Sequence, residues 1–343
     1  MKVCFISEYF TPAYGGQYTS VKGVIDMCKL KKIKFIIIHK HSKTYSNDKI
    51  LEKSINQCDI VHIFGGWTPF YIKTSILAHK LKKKIVIQPM GFYDPRSFSQ
   101  KKIKKTLAWY LYQKFFLRKA DLIHCASKKE ETNLKKLDPK LKTVILPFGI
   151  NKIDIKKKII KKINKKCIFF SRLHKQKGLD MLIDAWSDLK NKDWHLDIVG
   201  YGNQEYYKRK IKKTNSKNIK FLKPISNQKK KNKLFDNYDL LVLPSISENF
   251  GLVILESLSR GLPVLTTNET PWEKIQRDNA GWIINYSPIE LKIILFQIFN
   301  SKKQDLISKK KNAITLAQKY TKERLSNNYL NVYKTLIKYS KKI

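Results

Sequence analysis

Short runs of apolar residues, separated by polar turns, recur along the first 150 residues of the chain. Six of these runs are typical of strands: 2–7, 34–39, 59–64, 84–89, 121–127 and 143–148. The runs are continuous rather than alternating, as in a parallel sheet whose two faces are both covered by helices. Stretches of helical length, such as 68–81 and 98–119, lie between them. The pattern predicts βα units and one α/β domain over residues 1–150.

A second α/β domain is predicted beyond a charged stretch, 151–165, which has no evident core face and is interpreted as a linker. Five further runs then have the same character: 167–173, 195–200, 219–223, 239–245 and 263–267. We expect the second domain to cover 166–315, and we expect a helix in the final segment, 316–343, to pack back on the first domain. Ligands bind such sheets beyond the carboxyl ends of the strands, so the loops after the strands are where chemistry is expected.

Composition excludes intrinsic disorder and argues against two kinds of stabilising site. Of the 343 residues, 42% are hydrophobic and 12% aromatic, which is too apolar for a disordered polycation. The five cysteines are widely spaced and form no CxxC pair, which argues against a disulfide framework and against structural zinc. No run approaches 18 uncharged apolar residues, and the first is broken at Glu8. We therefore expect a cytoplasmic protein without a membrane span.

The chain is strongly basic, with 70 Lys and Arg against 27 Asp and Glu and a net charge of +43. Lysines occur in nearly every segment, so one interpretation is a solvated surface. The other is attraction to a polyanion, either an anionic membrane surface or the phosphates of a nucleic acid. Charge alone does not choose between these. The basic residues are scattered and no RNA-recognition, KH or zinc-finger motif is visible, so we expect no nucleic-acid partner.

The most informative segment, SENFGLVILE (247–256), follows the predicted strand 239–245. It reads as a polar loop carrying Glu248, followed by a helix whose free N–H groups favour an anion. Glu256 comes eight residues after Glu248. The two side chains face the same binding mouth only if the chain reverses direction at Gly251. A carboxylate can accept two hydrogen bonds from a vicinal diol.

A second informative segment, FFSRLHKQKGL (169–179), runs from a predicted strand through a basic loop into a helix. It places Arg172 and Lys177 after the strand. Two fixed cations there would stabilise negative charge on a bound group. Arg172 also offers a bidentate fork, and only seven of the basic residues in this chain are arginine.

These segments resemble the motifs of the retaining glycosyltransferases of family GT4, which have the GT-B fold of two Rossmann-like parallel-sheet domains facing a cleft. The resemblance is strongest over 167–286, where SENFGLVILE matches the ExxxxxxxE motif and is followed by GLPV. It implies that Glu248 lies near the donor sugar, that Glu256 binds the nucleotide ribose, and that Arg172 and Lys177 hold the donor diphosphate in place of a metal ion. The expected catalytic residues are Arg172, Lys177 and Glu248. The expected donor-binding residues are Glu256, Asn249, Phe250, Gly251 and Leu252.

The first domain is expected to hold the acceptor. The family has a glycine pair after its first strand, and Gly15 and Gly16 occupy that place here. Glycine lets a phosphate or sugar approach the backbone closely. A second pair, Gly65 and Gly66, is more ambiguous: an acceptor contact and a plain turn both fit.

This chain departs from the family pattern at QPMGFYDP (88–95). Many relatives have a histidine directly before Gly91, where this chain has Met90. We expect backbone groups at Gly91 or the side chain of Asp94 to take over its role. His124, inside a predicted strand, is expected to be a core histidine rather than an acid or base.

The resemblance implies transfer of a sugar from a UDP- or GDP-linked donor, without cofactor or metal, to a saccharide or lipid-linked oligosaccharide. The segments ETPWEKI and AGWIIN are similar to a bacterial polysaccharide subset of the family, in which Trp272 and Trp282 are expected to pack. The pathway would be O-antigen, lipopolysaccharide or capsule assembly, with the lysines holding a peripheral enzyme on the inner membrane face. Two alternatives remain: a polyanion- or nucleic-acid-binding protein, and a GT-B epimerase or phosphorylase.

Overall fold

The computed structural model describes residues 1–99, 102–152, 162–189 and 193–338. The chain divides into two compact units, one formed by Met1–Asn151 with Lys322–Ile343 and the other by Lys152–Thr321. Most of the predicted linker, residues 153–161, lies outside the described residues. The domain boundary expected at 315 falls inside a helix, Lys303–Gln318, and the second unit continues to Thr321.

All the strands named here lie in two six-stranded parallel sheets, one in each unit. In chain order the strands are β1 (Lys2–Ile6), β2 (Lys34–Ile38), β3 (Ile60–Phe64), β4 (Lys84–Gln88), β5 (Leu122–Cys125), β6 (Thr143–Ile145), β7 (Lys166–Phe170), β8 (His195–Val199), β9 (Ile219–Leu222), β10 (Leu240–Leu243), β11 (Val264–Thr267) and β12 (Gly281–Ile284). The α-helices are α1 (Gly16–Leu30), α2 (Lys43–Ser46), α3 (Asp48–Asn56), α4 (Pro69–Lys80), α5 (Pro95–Ser99), α6 (Lys102–Ala108), α7 (Lys114–Arg118), α8 (Lys128–Leu137), α9 (Leu179–Asp188), α10 (Gln204–Thr214), α11 (Gln228–Phe235), α12 (Leu252–Ser259), α13 (Lys274–Arg277), α14 (Pro288–Phe299), α15 (Lys303–Gln318) and α16 (Lys322–Lys338). A π-helical stretch, Trp109–Gln113, joins α6 to α7.

The first sheet has the strand order β2-β1-β3-β4-β5-β6. Its order reverses between β1 and β3, which are paired neighbours. All five residues of β3 are buried, which agrees with the continuous apolar run in the sequence. Each of the six runs predicted in this half contains one of the strands.

Two helices begin with a capping arrangement that is visible in the sequence. Before α8 the hydroxyl of Ser127 accepts a hydrogen bond from the N–H of Glu130, and before α14 the hydroxyl of Ser287 accepts one from the N–H of Glu290. The spacing Ser-x-x-Glu is the capping-box spacing. α8 and α14 therefore begin directly after the serine of each capping box.

The C-terminal helix α16 is joined to the first unit by a buried polar network. His62 of β3 hydrogen-bonds the hydroxyl of Tyr333 at 2.7 Å, and His124 of β5 lies 3.2 Å from that of Tyr329. Nε2 of His124 also bonds the carbonyl oxygen of Leu146 at 2.7 Å. Burial lowers the pKa of His124 to about 4 and that of His62 well below its ordinary value. The prediction that His124 is a core histidine is confirmed.

The second sheet has the order β12-β11-β10-β7-β8-β9. The five runs predicted in this half are strands, whereas β12 was not predicted. It is only four residues long and begins at Gly281, where a Cβ atom would lie 2.1 Å from the carbonyl oxygen of Val264. Trp and Ile favour strands, but so short a run does not by itself distinguish a strand, and pairing with β11 over Val264–Thr267 places it in the sheet.

Within the described ranges, no helix is both long and apolar enough to span a bilayer. All five cysteines are buried as free thiols.

Candidate functional site

The predicted catalytic and donor-binding residues lie in the loops that follow β7 and β10 and on α12. These two strands are paired neighbours at the point where the strand order of the second sheet reverses. β8 and β9 continue the sheet beyond β7, and β11 and β12 continue it beyond β10. In open α/β sheets a ligand crevice forms outside the carboxyl ends of the strands at such a reversal. The loops 171–178 and 244–251 therefore lie together at the edge where binding is expected.

The two loops are held against each other by backbone contacts. The N–H of Ile246 donates to the carbonyl oxygen of Gln176 at 2.8 Å. Gly178 has φ +70°, and a Cβ atom there would lie 2.0 Å from the carbonyl oxygen of Pro244. Glycine is required at this position because any side chain would push the loops apart.

Lys177 and Glu248 form an ion pair across these loops. The ammonium nitrogen lies 2.7 Å from Oε1 of Glu248, and the hydroxyl of Ser245 donates to the same oxygen at 2.9 Å. The side chains are only 13% and 10% exposed, respectively, so each charge depends on the other for compensation. The structure thus brings two of the predicted catalytic residues into direct contact.

Glu256 is paired with a lysine that the sequence analysis did not single out. Nζ of Lys231, on α11, lies 2.7 Å from Oε1 of Glu256, and the two side chains are 12% and 8% exposed. The same nitrogen lies 5.6 Å from the ring centroid of Phe170, the last residue of β7. Glu256 is thereby held close to the end of β7, where the Arg172 loop begins.

The signal that could have found Lys231 is its position on its helix. The run NQKKKNK looks like a solvated surface, but Lys231 precedes the buried Phe235 by four residues and so shares its helix face. The ring of Phe235 in turn contacts that of Phe170 at 5.3 Å. Of the lysines on α11, this one faces the sheet.

Arg172 is exposed, and among the residues that the structure describes its guanidinium has no ion pair. The loop that carries it is fixed by two glycines after β8. A Cβ atom at Gly200 would lie 1.9 Å from the carbonyl oxygen of Ser171, and Gly202 forms a β-bridge with Leu173. The sequence analysis missed these glycines, although GYG directly after a strand is the same kind of signal as the pair after β1.

The remaining predicted donor-binding residues lie at the start of α12. Gly251 has φ +75°, in the left-handed region, and α12 begins at Leu252. Phe250 is buried, and its carbonyl oxygen accepts a hydrogen bond from the indole of Trp272, which is also buried. Trp272 is therefore a packing residue, as expected. Asn249 and Leu252 are half-buried.

The two glycine pairs of the first unit differ in their surroundings. A Cβ atom at Gly15 or Gly16 would meet no atom within 4 Å, so space is open beside this loop. At Gly65 it would lie 2.6 Å from the ring of Tyr71, and at Gly66 2.6 Å from the hydroxyl of Tyr93. Packing explains the second pair. Only the first pair leaves room for a ligand near the backbone.

The loop around Met90 is engaged within the first unit. Met90 has φ +56° and Gly91 has φ +80°. The N–H of Gly91 donates to Oε1 of Glu130 at 2.8 Å, and its carbonyl oxygen accepts from the N–H of Asp94 at 3.2 Å. The Asp94 carboxylate accepts hydrogen bonds from the N–H of Arg96 and from the side chain of Asn133. The Gly91 N–H already donates to Glu130 and is therefore not available to bind an acceptor substrate.

A family model described as glycosyl transferases group 1 matches residues 151–328, which is more than half of the chain. The chain belongs to this family. The matched residues include the loops 171–178 and 244–251 and all of the predicted donor-binding residues. The resemblance drawn from the sequence motifs is confirmed at the level of group 1 glycosyltransferases.

This glycosyltransferase is 25% identical over 299 residues to an uncharacterized 41.2 kDa protein in the cps region of Klebsiella pneumoniae, covering 82% of this chain and 80% of that protein. It is 22% identical over 316 residues to the O-antigen biosynthesis glycosyltransferase WclY of Escherichia coli, covering 84% and 82%. Among solved structures it is similar to Anabaena HepE in complex with UDP-glucose, with a TM-score of 0.75, 18% identity and coverage of 98% and 100%. The two parallel sheets and this likeness confirm the predicted α/β fold of GT-B glycosyltransferases.

Proposed function

We propose that this glycosyltransferase is a retaining enzyme that moves a sugar from a UDP- or GDP-linked donor to a saccharide carried on a lipid. The observation that carries the proposal is the pair of ion pairs, Lys177–Glu248 and Lys231–Glu256, at the strand-order reversal of the second unit, with Arg172 exposed beside them. The product would be a bacterial surface polysaccharide. The relatives support this: one lies in a cps region and another is named for O-antigen biosynthesis.

Charge at this site suits a nucleoside diphosphate. Within each of the two ion pairs the positive and negative charges cancel. Arg172, in contrast, is a cation without an ion pair among the described residues. A diphosphate placed against Arg172 could also attract Lys177 away from Glu248. Glu248 would then be free to accept hydrogen bonds from hydroxyls of the donor sugar. Glu256 would accept them from the ribose diol. The UDP-glucose complex of HepE supports a nucleotide sugar as the donor class.

In the proposed reaction the bond between the anomeric carbon and the β-phosphate oxygen breaks, and an acceptor hydroxyl oxygen bonds to the same face of that carbon. The acceptor proton passes to the leaving phosphate oxygen, so the products are the new glycoside and a nucleoside diphosphate. Arg172 and Lys177 stabilise the negative charge that develops on the leaving group. The scheme needs neither a protein nucleophile nor a metal ion.

The acceptor would bind the first unit at the Gly15–Gly16 loop, where open space adjoins the backbone. A lipid-linked acceptor would place the enzyme on the cytoplasmic side of a membrane as a peripheral protein.

The first test is a thermal-shift panel of UDP, GDP, ADP and their sugars, followed by turnover with NMR detection of the anomeric configuration. Retention of configuration is expected.

Arg172→Ala should lower kcat/KM by about 30- to 1,000-fold, which is about 2–4 kcal/mol of transition-state stabilisation. The matched control is Arg209→Ala, an exposed arginine on α10, which should be neutral. Inversion of configuration, or equal effects of the two substitutions, would contradict the proposal. Turnover without acceptor would indicate an epimerase, and a requirement for phosphate would indicate a phosphorylase.

A further inference from the structure

Glu8, two residues beyond the end of β1, is a buried acid without a counterion in the described part of the chain. It is only 7% exposed, and among the described residues its side chain hydrogen-bonds a tyrosine hydroxyl alone. This is unexpected in a chain with 70 lysines and arginines. A buried charge without a counterion costs free energy, so buried acids are usually paired. A ligand that completes the site would offset this cost.

The two oxygens of the Glu8 carboxylate differ in their surroundings. Oε1 accepts a hydrogen bond from the hydroxyl of Tyr45 at 2.6 Å. Burial and this hydrogen bond raise the pKa of Tyr45 to about 12, so its hydroxyl remains a donor at neutral pH. Oε2 has no hydrogen-bond partner in the described part of the chain, and it is not sealed from solvent. One oxygen is therefore fixed, and the other is left for a ligand.

Three neighbouring segments of the first unit hold Glu8 in place. Tyr45 lies on α2, after β2, and its ring packs on that of Phe70 at 4.0 Å between centroids. Tyr71, on α4 after β3, accepts a hydrogen bond from the N–H of Glu8 at 2.9 Å. The order of the first sheet reverses between β1 and β3. Glu8 therefore lies at the edge of this sheet where a ligand crevice is expected.

Aromatic rings lie beside this carboxylate. The rings of Tyr9 and Tyr14 meet edge to face at 5.0 Å, and Tyr14 is 37% exposed. Tyr14 immediately precedes Gly15, beside which space is open. A sugar can pack its apolar C–H face on an aromatic ring while its hydroxyls reach a polar side chain. The carboxylate and the rings together suit a sugar better than a phosphate, which the carboxylate would repel.

The loop after β2 brings no compensating charge to Glu8. His39 packs on Phe10 at 6.0 Å between ring centroids. Burial and the neighbouring His41 lower the pKa of His39, so it is neutral at pH 7. Lys40 is exposed. An acidic sugar placed against Glu8 would therefore meet a like charge that no described residue cancels.

We propose that Glu8 selects an uncharged sugar as the acceptor, by accepting hydrogen bonds from its hydroxyl groups at Oε2 while the sugar ring packs on Tyr14. Tyr45 is a positioning residue, since it acts by orienting the carboxylate. The inference rests on the proposed function, to which it adds the class of the acceptor sugar and the residue that selects it.

The experiment titrates the full chain, with and without UDP, with the methyl β-glycosides of glucose, galactose, N-acetylglucosamine and glucuronic acid. Binding is measured by saturation-transfer NMR. At least one neutral glycoside should bind at least about fivefold more tightly than the glucuronide. Glu8→Gln should weaken the binding of that neutral glycoside by about tenfold, as expected for a hydrogen bond to a charged group, and should narrow its preference over the glucuronide.

Two matched substitutions control for indirect effects. Glu52→Gln removes an exposed acid on α3 of the same unit and should leave all affinities within about twofold. Tyr45→Phe should weaken the neutral glycoside by about threefold in the native chain but have no further effect in the Glu8→Gln variant, because it acts through Glu8. Tyr110→Phe, at an exposed tyrosine, should have no effect in either.

Three outcomes would overturn the proposal: no neutral glycoside binds the native chain, the glucuronide binds as tightly as the best neutral glycoside, or Glu8→Gln has no more effect than Glu52→Gln. Calorimetry with UDP and GDP separates this inference from the proposed function. Glu8→Gln should leave nucleotide affinity unchanged, because the predicted donor-binding residues lie in the second unit. Failure of both nucleotides to bind the native chain would contradict the proposed donor, whatever the glycosides do.

Discussion

Acidification should weaken the attachment of α16 to the first unit. His62 and His124 are fully buried and hydrogen-bonded to Tyr333 and Tyr329 of this helix. Burial lowers the pKa of His124 from 6.5 to about 4 and also holds the pKa of His62 well below its ordinary value. The unfolded chain therefore binds protons more readily than the native unit. Stability is lost as pH falls below about 6.5, and the loss continues down to the native pKa.

The magnitude follows from the two pKa values of His124. Relative to neutral pH, the free energy of unfolding should fall by about 2 kcal/mol at pH 5 and by about 3 kcal/mol at pH 4. His62 acts in the same sense and enlarges the effect. A domain is typically stable by about 5–15 kcal/mol, so the loss is a substantial fraction of the whole.

Hydrogen exchange read by mass spectrometry would measure this effect at pH 7 and pH 5, after correction for intrinsic exchange rates. Peptides from α16 should lose protection at pH 5 relative to peptides from α12, which serve as an internal control. His124→Gln keeps a donor for the carbonyl oxygen of Leu146 and should reduce the acid sensitivity. Equal protection of α16 at the two pH values in the native protein would refute the reasoning.

Three further predictions concern the candidate site of the second unit. Gly178→Ala would place a methyl group 2.0 Å from the carbonyl oxygen of Pro244, so it should lower the free energy of unfolding in urea by about 3 kcal/mol or more. As a control, the methyl group of Gly16→Ala meets no atom within 4 Å, so this substitution should change the free energy of unfolding by less than about 1 kcal/mol. Lys231→Met leaves the Glu256 carboxylate buried without its cation, so urea unfolding should show a loss of about 3 kcal/mol that Lys231→Met with Glu256→Leu largely restores; persistence of the full loss in the double variant would contradict a role for the pair. Glu256→Gln should weaken donor binding by about tenfold in calorimetry, and unchanged affinity would remove Glu256 from the ribose site.

The sequence predicted the sheets well because the central strands, such as β3 and β10, are buried on both faces and appear in the sequence as continuous apolar runs. β12 was missed because an apolar run of only four residues does not by itself distinguish a strand, and its place in the sheet comes from pairing with β11. The positions of Glu248 and Arg172 could be predicted from the strands, because each residue lies in the loop directly after a strand. Spacing on α11 indicates that Lys231 faces the sheet, but it does not give the partner, Glu256, which lies 25 residues further along the chain.

Gly91 shows a different limit of sequence reasoning. A glycine after a strand offers a free N–H in principle, and the motif pattern favoured such a role. The N–H is instead bound by Glu130 from α8, a residue 39 positions further along the chain. Which backbone groups are left for a ligand is decided by tertiary partners, and these do not show in local patterns.

The first unit is assembled from both ends of the polypeptide, Met1–Asn151 and Lys322–Ile343, whereas the second is one uninterrupted stretch. During synthesis the ribosome releases the first 151 residues long before α16 exists. The sheet surface that carries His62 and His124, which α16 covers in the native unit, therefore stays exposed while the second unit emerges and folds. Production of the chain should thus depend on chaperones that shield this early intermediate, and a nonsense codon just after Thr321 would leave the second unit intact but the first unit unfinished.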